Sequence, residues 1–181
     1  MTEEPEATFD PPPRTMTRAA FIAYFGGVYE SSPWIAEAAW EVGLSEAEDS
    51  PMGLHAALRR VVEAAPRDRQ LDLVRAHPDL AGKAAVAGDL TAESAGEQAA
   101  AGLDHCTPEE FQHFQDLNAR YKERFGFPFV IAVKGLTRAE ILAAFERRIE
   151  GDSESELRTA LLQIHEIARL RLQALAARGG A

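Results

Sequence analysis

The amino-acid sequence predicts an all-α fold, a single-domain bundle of about seven or eight helices with one extended connector through its core. Apolar residues recur at three- and four-residue spacing along almost the whole chain from Thr15 onward, which is typical of amphipathic helices. Many of these segments begin with Ser or Thr beside Pro and end at Gly, as capped helices do. Only one short apolar run departs from this pattern, and a lone strand has no partner with which to form a sheet.

Four helices are predicted in the first half of the chain. The segment TRAAFIAYFGGVYE places four residues on one apolar stripe, namely Phe21, Tyr24, Phe25 and Val28. Ser32 is the expected N-cap of the second helix and Ser50 that of the third, each followed by a proline at the first helical position. The fourth helix starts near Pro66 and ends around Ala76, because the proline after His77 disfavours helical geometry at the preceding residue.

Four further helices are predicted in the second half. One runs from a Thr91 cap to Gly102, and the next, TPEEFQHFQDLNARYKERFG, begins after Thr107 and stops at Gly126. Thr137 opens another helix with a capping box. The long segment SESELRTALLQIHEIARLRLQALAARGG forms the last helix.

Composition excludes several classes of function. The formal net charge of −10 argues against binding to nucleic acid or to an anionic membrane, since both need a basic surface. No run approaches the ~18 apolar residues of a membrane span. The single cysteine, Cys106, excludes an intrachain disulfide and favours a cytoplasmic location. Residues 1–14 are acidic and Pro-rich without the pattern of a signal peptide, and we expect a mobile tail before a helical domain of residues 15–181.

His77 stands out among the histidines by its position at the end of a predicted helix, directly before Pro78. The exposed carbonyls of a helix C-terminus favour a cation. A ring held there can stay partly protonated near neutrality, which suits anion binding or proton delivery. The alternative is a C-cap histidine that only satisfies the helix dipole.

The sequence SAGEQ places Ser94, Glu97 and Gln98 at i, i+3 and i+4, on one helix face. If Thr91 caps this helix, all three polar side chains point outward together. They then form a polar surface that can bind a ureido or imide group by paired hydrogen bonds. If Ser94 is the cap instead, Ser94 and Glu97 form an ordinary capping box. The position of the helix start separates the two interpretations.

The run FPFVIAV, residues 127–133, is short, apolar and β-branched, and it follows a glycine. We expect an extended connector whose backbone N–H and C=O groups either only cross the core or line a site for a small heterocycle. Arg169 on the last helix can supply positive charge to an anionic ligand, or it can form an ordinary salt bridge with Glu166.

Three motifs, RAHPDLAGKAA, LTAESAGEQAAAGLD and LNARYKERFGFPFVIAVKG, occur in this order. Through these motifs the chain resembles the 2-oxo-4-hydroxy-4-carboxy-5-ureidoimidazoline (OHCU) decarboxylase family of urate degradation. The resemblance extends from about Thr15 to Ala177. The resemblance implies an all-α, cofactor-free decarboxylase that converts OHCU to (S)-allantoin, with no metal site. It also allows for a homodimer.

The same resemblance implies the roles of individual residues. His77 and Glu97 are the expected catalytic pair. The expected ligand contacts are Pro78, Ser94, Gln98 and the connector residues Phe129, Val130, Ile131, Ala132 and Val133.

The substrate loses CO2 from a ring carbon beside an unsaturated C–N system that can hold the electrons, so no metal, pyridoxal or thiamine is required. We expect His77 to bind the leaving carboxylate or the hydroxyl and to deliver the proton, and Glu97 to orient His77 or the substrate.

Two alternatives remain open from the residues. Ser94, His77 and Glu97 are the residue types of a hydrolytic triad for an amide or ureide, although the serine does not lie on a strand–turn–helix elbow. The other alternative is a helical interaction module without enzymatic activity.

Overall fold

A computed structural model describes residues 7–82 and 88–179 of the chain. Within these ranges it contains eight α-helices, two short 3-10 helices and no strand, so the predicted all-α fold is confirmed. Residues 1–6 of the predicted tail and residues 83–85 of the RAHPDLAGKAA motif lie outside the described residues.

The helices follow the predicted order along the chain. Their bounds are α1 Arg18–Phe25, α2 Trp34–Val42, α3 Pro51–Ala64, α4 Arg67–Arg75, α5 Ala92–Ala100, α6 Pro108–Phe125, α7 Arg138–Arg148 and α8 Ser153–Gly179, with 3-10 helices at Pro13–Thr15 and Glu46–Asp49. Among the described residues, every helix is too short or too polar to cross a membrane.

Most of the predicted caps are present. Thr107 and Thr137 each form a complete capping box with the glutamate three residues later, and the Ser50 hydroxyl accepts a hydrogen bond from Gly53 N at 3.1 Å. Gly126 ends α6 in the left-handed conformation, with φ of 76°, which explains the glycine there. The predicted Ser32 cap is wrong. Its hydroxyl donates to the Glu30 carbonyl at 2.8 Å, and α2 begins one residue later than predicted.

The described residues form two compact units, and the first comprises the chain up to Leu73 together with the residues from His165 onward. Its buried side chains include Phe21, Phe25 and Leu54. Phe9 is only 3 % exposed, its ring lies 5.0 Å from that of Phe25, and its N–H donates to the Asp49 carbonyl at 2.8 Å. The part of the predicted mobile tail from Phe9 onward is therefore packed, because an aromatic side chain there is buried.

The second unit comprises Val74–Ile164. Its core is aromatic: Tyr121 of α6 contacts the rings of Phe129 and Phe145, and those two rings stack at 3.9 Å. Residues 127–133 have neither helical nor strand structure, as predicted for the connector. Phe129, at 1 % exposed, fixes the connector to α7 through this stack.

Candidate functional site

His77 lies two residues beyond the end of α4, where Pro78 follows it. Its backbone N–H donates to the Val74 carbonyl at 3.1 Å, which closes the last turn of the helix. The residue is only 8 % exposed. A histidine that served only a surface helix end would keep its ring in water, so this burial favours a role inside the protein.

The start of α5 decides between the two interpretations of the SAGEQ motif. The Thr91 hydroxyl accepts a hydrogen bond from Ser94 N at 3.3 Å, so Thr91 is the N-cap and the alternative with Ser94 as cap is wrong. Ser94, Glu97 and Gln98 therefore share one face within the helix. This face points toward protein rather than solvent, since Ser94 and Gln98 are 5 % and 6 % exposed and Glu97 is half-buried.

Gln98 joins this helix face to the segment that begins at His77. Its Oε1 accepts a hydrogen bond from Ala81 N at 3.0 Å, and its Nε2 donates to the Asp79 carbonyl at 3.2 Å. Residues 77–82 are called the His77 loop below. The loop and α5 are thereby brought together, with Glu97 adjacent in sequence to the joining residue. The oxygen of Gln98 and one N–H are thus already used within the protein.

Three side chains of α6 hold the same loop, and none of them was predicted from the sequence as part of the site. The bonds run from Gln115 Nε2 to the Ala81 carbonyl at 2.9 Å, from Asn118 Nδ2 to the Leu80 carbonyl at 3.0 Å, and from Lys122 Nζ to the Asp79 carboxylate at 2.7 Å. The signal in the sequence is their spacing at i, i+3 and i+7, which places three polar residues on one helical face.

The connector is brought to the same region of the second unit. Arg75 Nε, at the end of α4, donates to the Gly126 carbonyl at 3.1 Å, one residue before the connector begins. Val130 and Val133 are buried, and Ile131 and Ala132 between them are half-buried. The first sequence motif thus contacts both of the others. Its His77 loop is bonded to α5 of the second motif, and its loop and Arg75 are bonded to α6 and to the start of the connector in the third.

Part of the connector backbone is satisfied by protein side chains. Arg148 NH1 donates to the Val130 carbonyl at 2.7 Å, and Ala132 N donates to Gln163 Oε1 at 3.0 Å. Across the described residues, no protein group accepts a hydrogen bond from the N–H of Ile131 or of Val133. Water or a ligand can accept from these two N–H groups, and equally from those of Phe129 and Val130, for which the described residues also provide no acceptor.

A buried ion pair stabilises the connector through contacts with Phe129 and Val130. Arg148 pairs with Glu156 at 3.1 Å and lies 4.4 Å above the Phe129 ring. The Tyr121 hydroxyl donates to the same Glu156 carboxylate, and burial, together with this hydrogen bond, raises the pKa of Tyr121. The phenol therefore stays protonated and keeps its role as a donor.

Arg169 belongs to the first unit. Its guanidinium forms a bidentate salt bridge with Glu166, in which Nε donates to Oε2 at 2.8 Å and NH2 donates to Oε1 at 2.6 Å. The salt bridge offered as the alternative to a ligand contact is thus present. Because Arg169 carries five N–H donors, this pair does not use its whole hydrogen-bonding capacity.

The second unit thus combines an imidazole, a carboxyl group, a hydroxyl and unpaired backbone N–H groups on neighbouring segments. An imidazole and a carboxyl group can move a proton between them and a ligand. Backbone N–H groups can bind the oxygens of a small polar ring at no cost in side-chain entropy. Such a set suits chemistry on a small heterocycle in which a proton is delivered to one face.

Comparison with known proteins gives consistent results. The family model described as OHCU decarboxylase matches residues 14–173. The 2-oxo-4-hydroxy-4-carboxy-5-ureidoimidazoline decarboxylase of Haloferax volcanii is 46% identical over 153 residues, which are 84% of this chain and 87% of that protein. The enzyme of the same name from Mus musculus is 40% identical over 162 residues, 87% of each chain.

Two solved structures are similar to this one. A crystal structure of (S)-allantoin synthase has a TM-score of 0.71 at 30% identity, and the match covers 90% of this chain and 52% of that chain. A crystal structure of OHCU decarboxylase in the presence of (S)-allantoin has a TM-score of 0.67 at 24% identity, over 83% of this chain and 95% of that one, and it supports the fold alone. The match of the family model to most of the chain, with relatives at 40% identity or more, shows that this chain belongs to the OHCU decarboxylase family.

Proposed function

We propose that this protein decarboxylates OHCU to (S)-allantoin, with His77 and Glu97 as the catalytic pair. The observation that carries the proposal is the pair of hydrogen bonds from the Gln98 amide to Ala81 N and the Asp79 carbonyl. These bonds join the loop that carries His77 to the helix that carries Glu97. Family membership supports the substrate and the product, and these two hydrogen bonds support the assignment of His77 and Glu97 to one site.

The reaction breaks one C–C bond and forms one C–H bond. The carboxylate leaves as CO2, and its electron pair stays in the adjacent unsaturated C–N system of the ring. A proton is then added to one face of the carbanionic ring system. His77 in its protonated form delivers this proton, and Glu97 holds the imidazole or the substrate hydroxyl in the orientation that the delivery requires.

The remaining residues bind and orient the ring. The buried Ser94 hydroxyl and the second N–H of the Gln98 amide contact the polar substituents, and Pro78 packs against the ring beside His77. The connector, Phe129–Val133, supplies backbone donors, since Ala132 is the one residue of this segment whose N–H has an acceptor within the described part of the chain. Arg169 stays a predicted contact of the substrate carboxylate on the basis of its charge, and its guanidinium is paired with Glu166.

The test is the decay of OHCU that upstream enzymes have freshly generated from urate, followed by circular dichroism with and without the protein. We expect faster loss of OHCU and an excess of the (S) enantiomer of allantoin. Equal decay rates with and without the protein would contradict the proposal and favour a non-enzymatic helical module.

The homodimer and the cytoplasmic location remain predictions. The single cysteine suits a reducing compartment. Light scattering on the purified chain measures the mass in solution, and a value near 19.8 kDa would contradict the homodimer.

A further inference from the structure

We propose that Gln115 of α6 is a positioning residue for His77. This inference rests on the proposed function, since it assigns Gln115 a part in the same decarboxylation. Gln115 and Gln98 together form what we call the Ala81 clamp. Gln98 accepts from the Ala81 N–H at 3.0 Å, and Gln115 donates to the Ala81 carbonyl at 2.9 Å. Both backbone groups of one loop residue are thus held by long amide side chains from two different helices.

Ala81 has a backbone conformation that needs this restraint. Its φ is 49°, in the left-handed region that residues with a Cβ rarely occupy. Without the two amides, the chain would lower its free energy by leaving this conformation. Backbone strain of this kind persists only where several surrounding contacts hold the residue in place, and it is concentrated at functional sites.

Asn118, one helical turn beyond Gln115, adds a second energetic cost at the same loop. Its Nδ2 donates to the Leu80 carbonyl at 3.0 Å. Its Oδ1 is buried and has no hydrogen-bond partner within the described part of the chain. A buried acceptor without a partner costs stability. One strained residue in the loop thus lies beside one half-satisfied amide on α6, a combination that stability alone does not favour.

The restraint reaches His77 through a short and constrained path. Pro78 fixes its own φ, and the Asp79 carbonyl and carboxylate are held by Gln98 and Lys122 respectively. The Leu80 carbonyl and both backbone groups of Ala81 are held as described above. Release of the Ala81 carbonyl therefore loosens the C-terminal end of the loop that begins at His77. A shift of about 1 Å in a reacting group can lower a rate by up to about 100-fold.

Gln115 acts through the loop and does not touch the substrate in this proposal. The informative variant is Gln115→Met, which keeps the length of the side chain and removes the donor to Ala81. Gln112→Met is the matched control. Gln112 lies on the same helix and donates from Nε2 at the same distance, 2.9 Å, but its partner is the exposed Asp116.

The measurement is the enantiomeric excess of allantoin, with protein concentrations adjusted so that every variant removes OHCU at the same rate. Matching the rates makes the contribution of spontaneous decay the same in every sample, and a variant that is only less stable then gives the wild-type excess. We expect Gln115→Met to have kcat lower by about 10- to 100-fold and a reduced (S) excess at matched rate. Gln112→Met should match the wild type in both.

An unchanged (S) excess for Gln115→Met at matched rate overturns the positioning role, whatever its kcat. If Gln115→Met does not fold, Gln115→Glu serves instead, because position 115 is half-buried and an ionised carboxylate cannot donate to Ala81. Failure of the proposed function gives a different result: the wild type itself would then yield no excess of (S)-allantoin, and both proposals would fall.

Discussion

Arg75 donates a hydrogen bond from Nε to the carbonyl oxygen of Gly126 at 3.1 Å, across 51 positions of sequence. The first residue lies at the end of the helix before His77, and the second lies directly before the connector. This bond, together with those of Gln98, joins three motifs that are separate in sequence within one region of the second unit. The account predicts that these motifs act on a single ligand.

His77→Asn and Glu97→Gln should each abolish the production of excess (S)-allantoin, because each removes one member of the proposed catalytic pair. Both substitutions keep polar side chains of similar size, so we expect urea unfolding midpoints close to that of the wild type. His113→Asn is the control, since His113 is exposed and its Nε2 lies 2.9 Å from the exposed Glu146. A variant of His77 or Glu97 that keeps most of the activity would show that the role given to that residue is wrong.

Ser94→Ala distinguishes the decarboxylase from a Ser/His/Glu hydrolase. A hydrolase would lose its nucleophile, and activity would disappear. In a decarboxylase the hydroxyl only binds the substrate, so KM should rise by about 10-fold, which corresponds to one hydrogen bond of about 1.4 kcal/mol, while kcat is largely kept. Steady-state kinetics on OHCU measures both, and loss of kcat with unchanged KM would refute this assignment.

The helices could be predicted from the sequence because apolar spacing and caps are local. Thr91, Thr107 and Thr137 act as caps where the pattern indicates. The choice between Thr91 and Ser94 stayed open, since both are good caps, and only the folded chain decides it.

The supporting residues could not be predicted in the same way. The spacing of Gln115, Asn118 and Lys122 shows that they share a face, but not that the His77 loop packs against it. Phe9 lies within an acidic, Pro-rich segment typical of a tail, and its burial depends on contacts with Phe25 and Asp49. Long-range partners of this kind are set by tertiary packing, which local patterns do not record.

The buried pair of Arg148 and Glu156 should contribute both to the stability of the protein and to the position of the connector. Arg148→Met leaves the buried Glu156 without its cation, which should cost about 3–5 kcal/mol in the free energy of unfolding. It also removes the donor to the Val130 carbonyl. The exposed Arg124, whose NH2 donates to the Gly151 carbonyl, provides the control Arg124→Met, with an expected cost below about 1 kcal/mol. Urea denaturation measures both costs.

A second substitution separates charge from packing. Replacement of Glu156 by Gln in the Arg148→Met background removes the unpaired charge and should recover most of the lost stability. If the double variant is as unstable as Arg148→Met alone, the buried charge is not the cause.

His165 should make the stability of the protein depend on pH. Burial lowers the pKa of His165 from 6.5 to about 4. Its Nδ1 lies 2.8 Å from the Tyr29 hydroxyl, and a neutral imidazole can accept a hydrogen bond from this hydroxyl. The unfolded chain binds the proton more readily than the folded one. The contribution of His165 is therefore fully present above pH 6.5 and is lost as the pH falls to about 4.

The difference between wild type and His165→Gln isolates this contribution from the titration of carboxyl groups. We expect the free energy of unfolding to fall less in the variant than in the wild type between pH 7 and pH 4. Equal losses in the two proteins would mean that His165 is not a source of the pH dependence.

The convergence of His77 and Glu97 on one ligand is tested most directly by a crystal structure of this protein with (S)-allantoin bound. The quantities to measure are the distances from the His77 ring nitrogens and from the Glu97 carboxylate oxygens to the ligand. The account predicts that both lie within hydrogen-bonding distance, about 2.6–3.2 Å, of the same molecule, on the side of its hydrogen-bearing stereocentre. Allantoin bound elsewhere, or bound with either side chain turned away from it, would contradict the account.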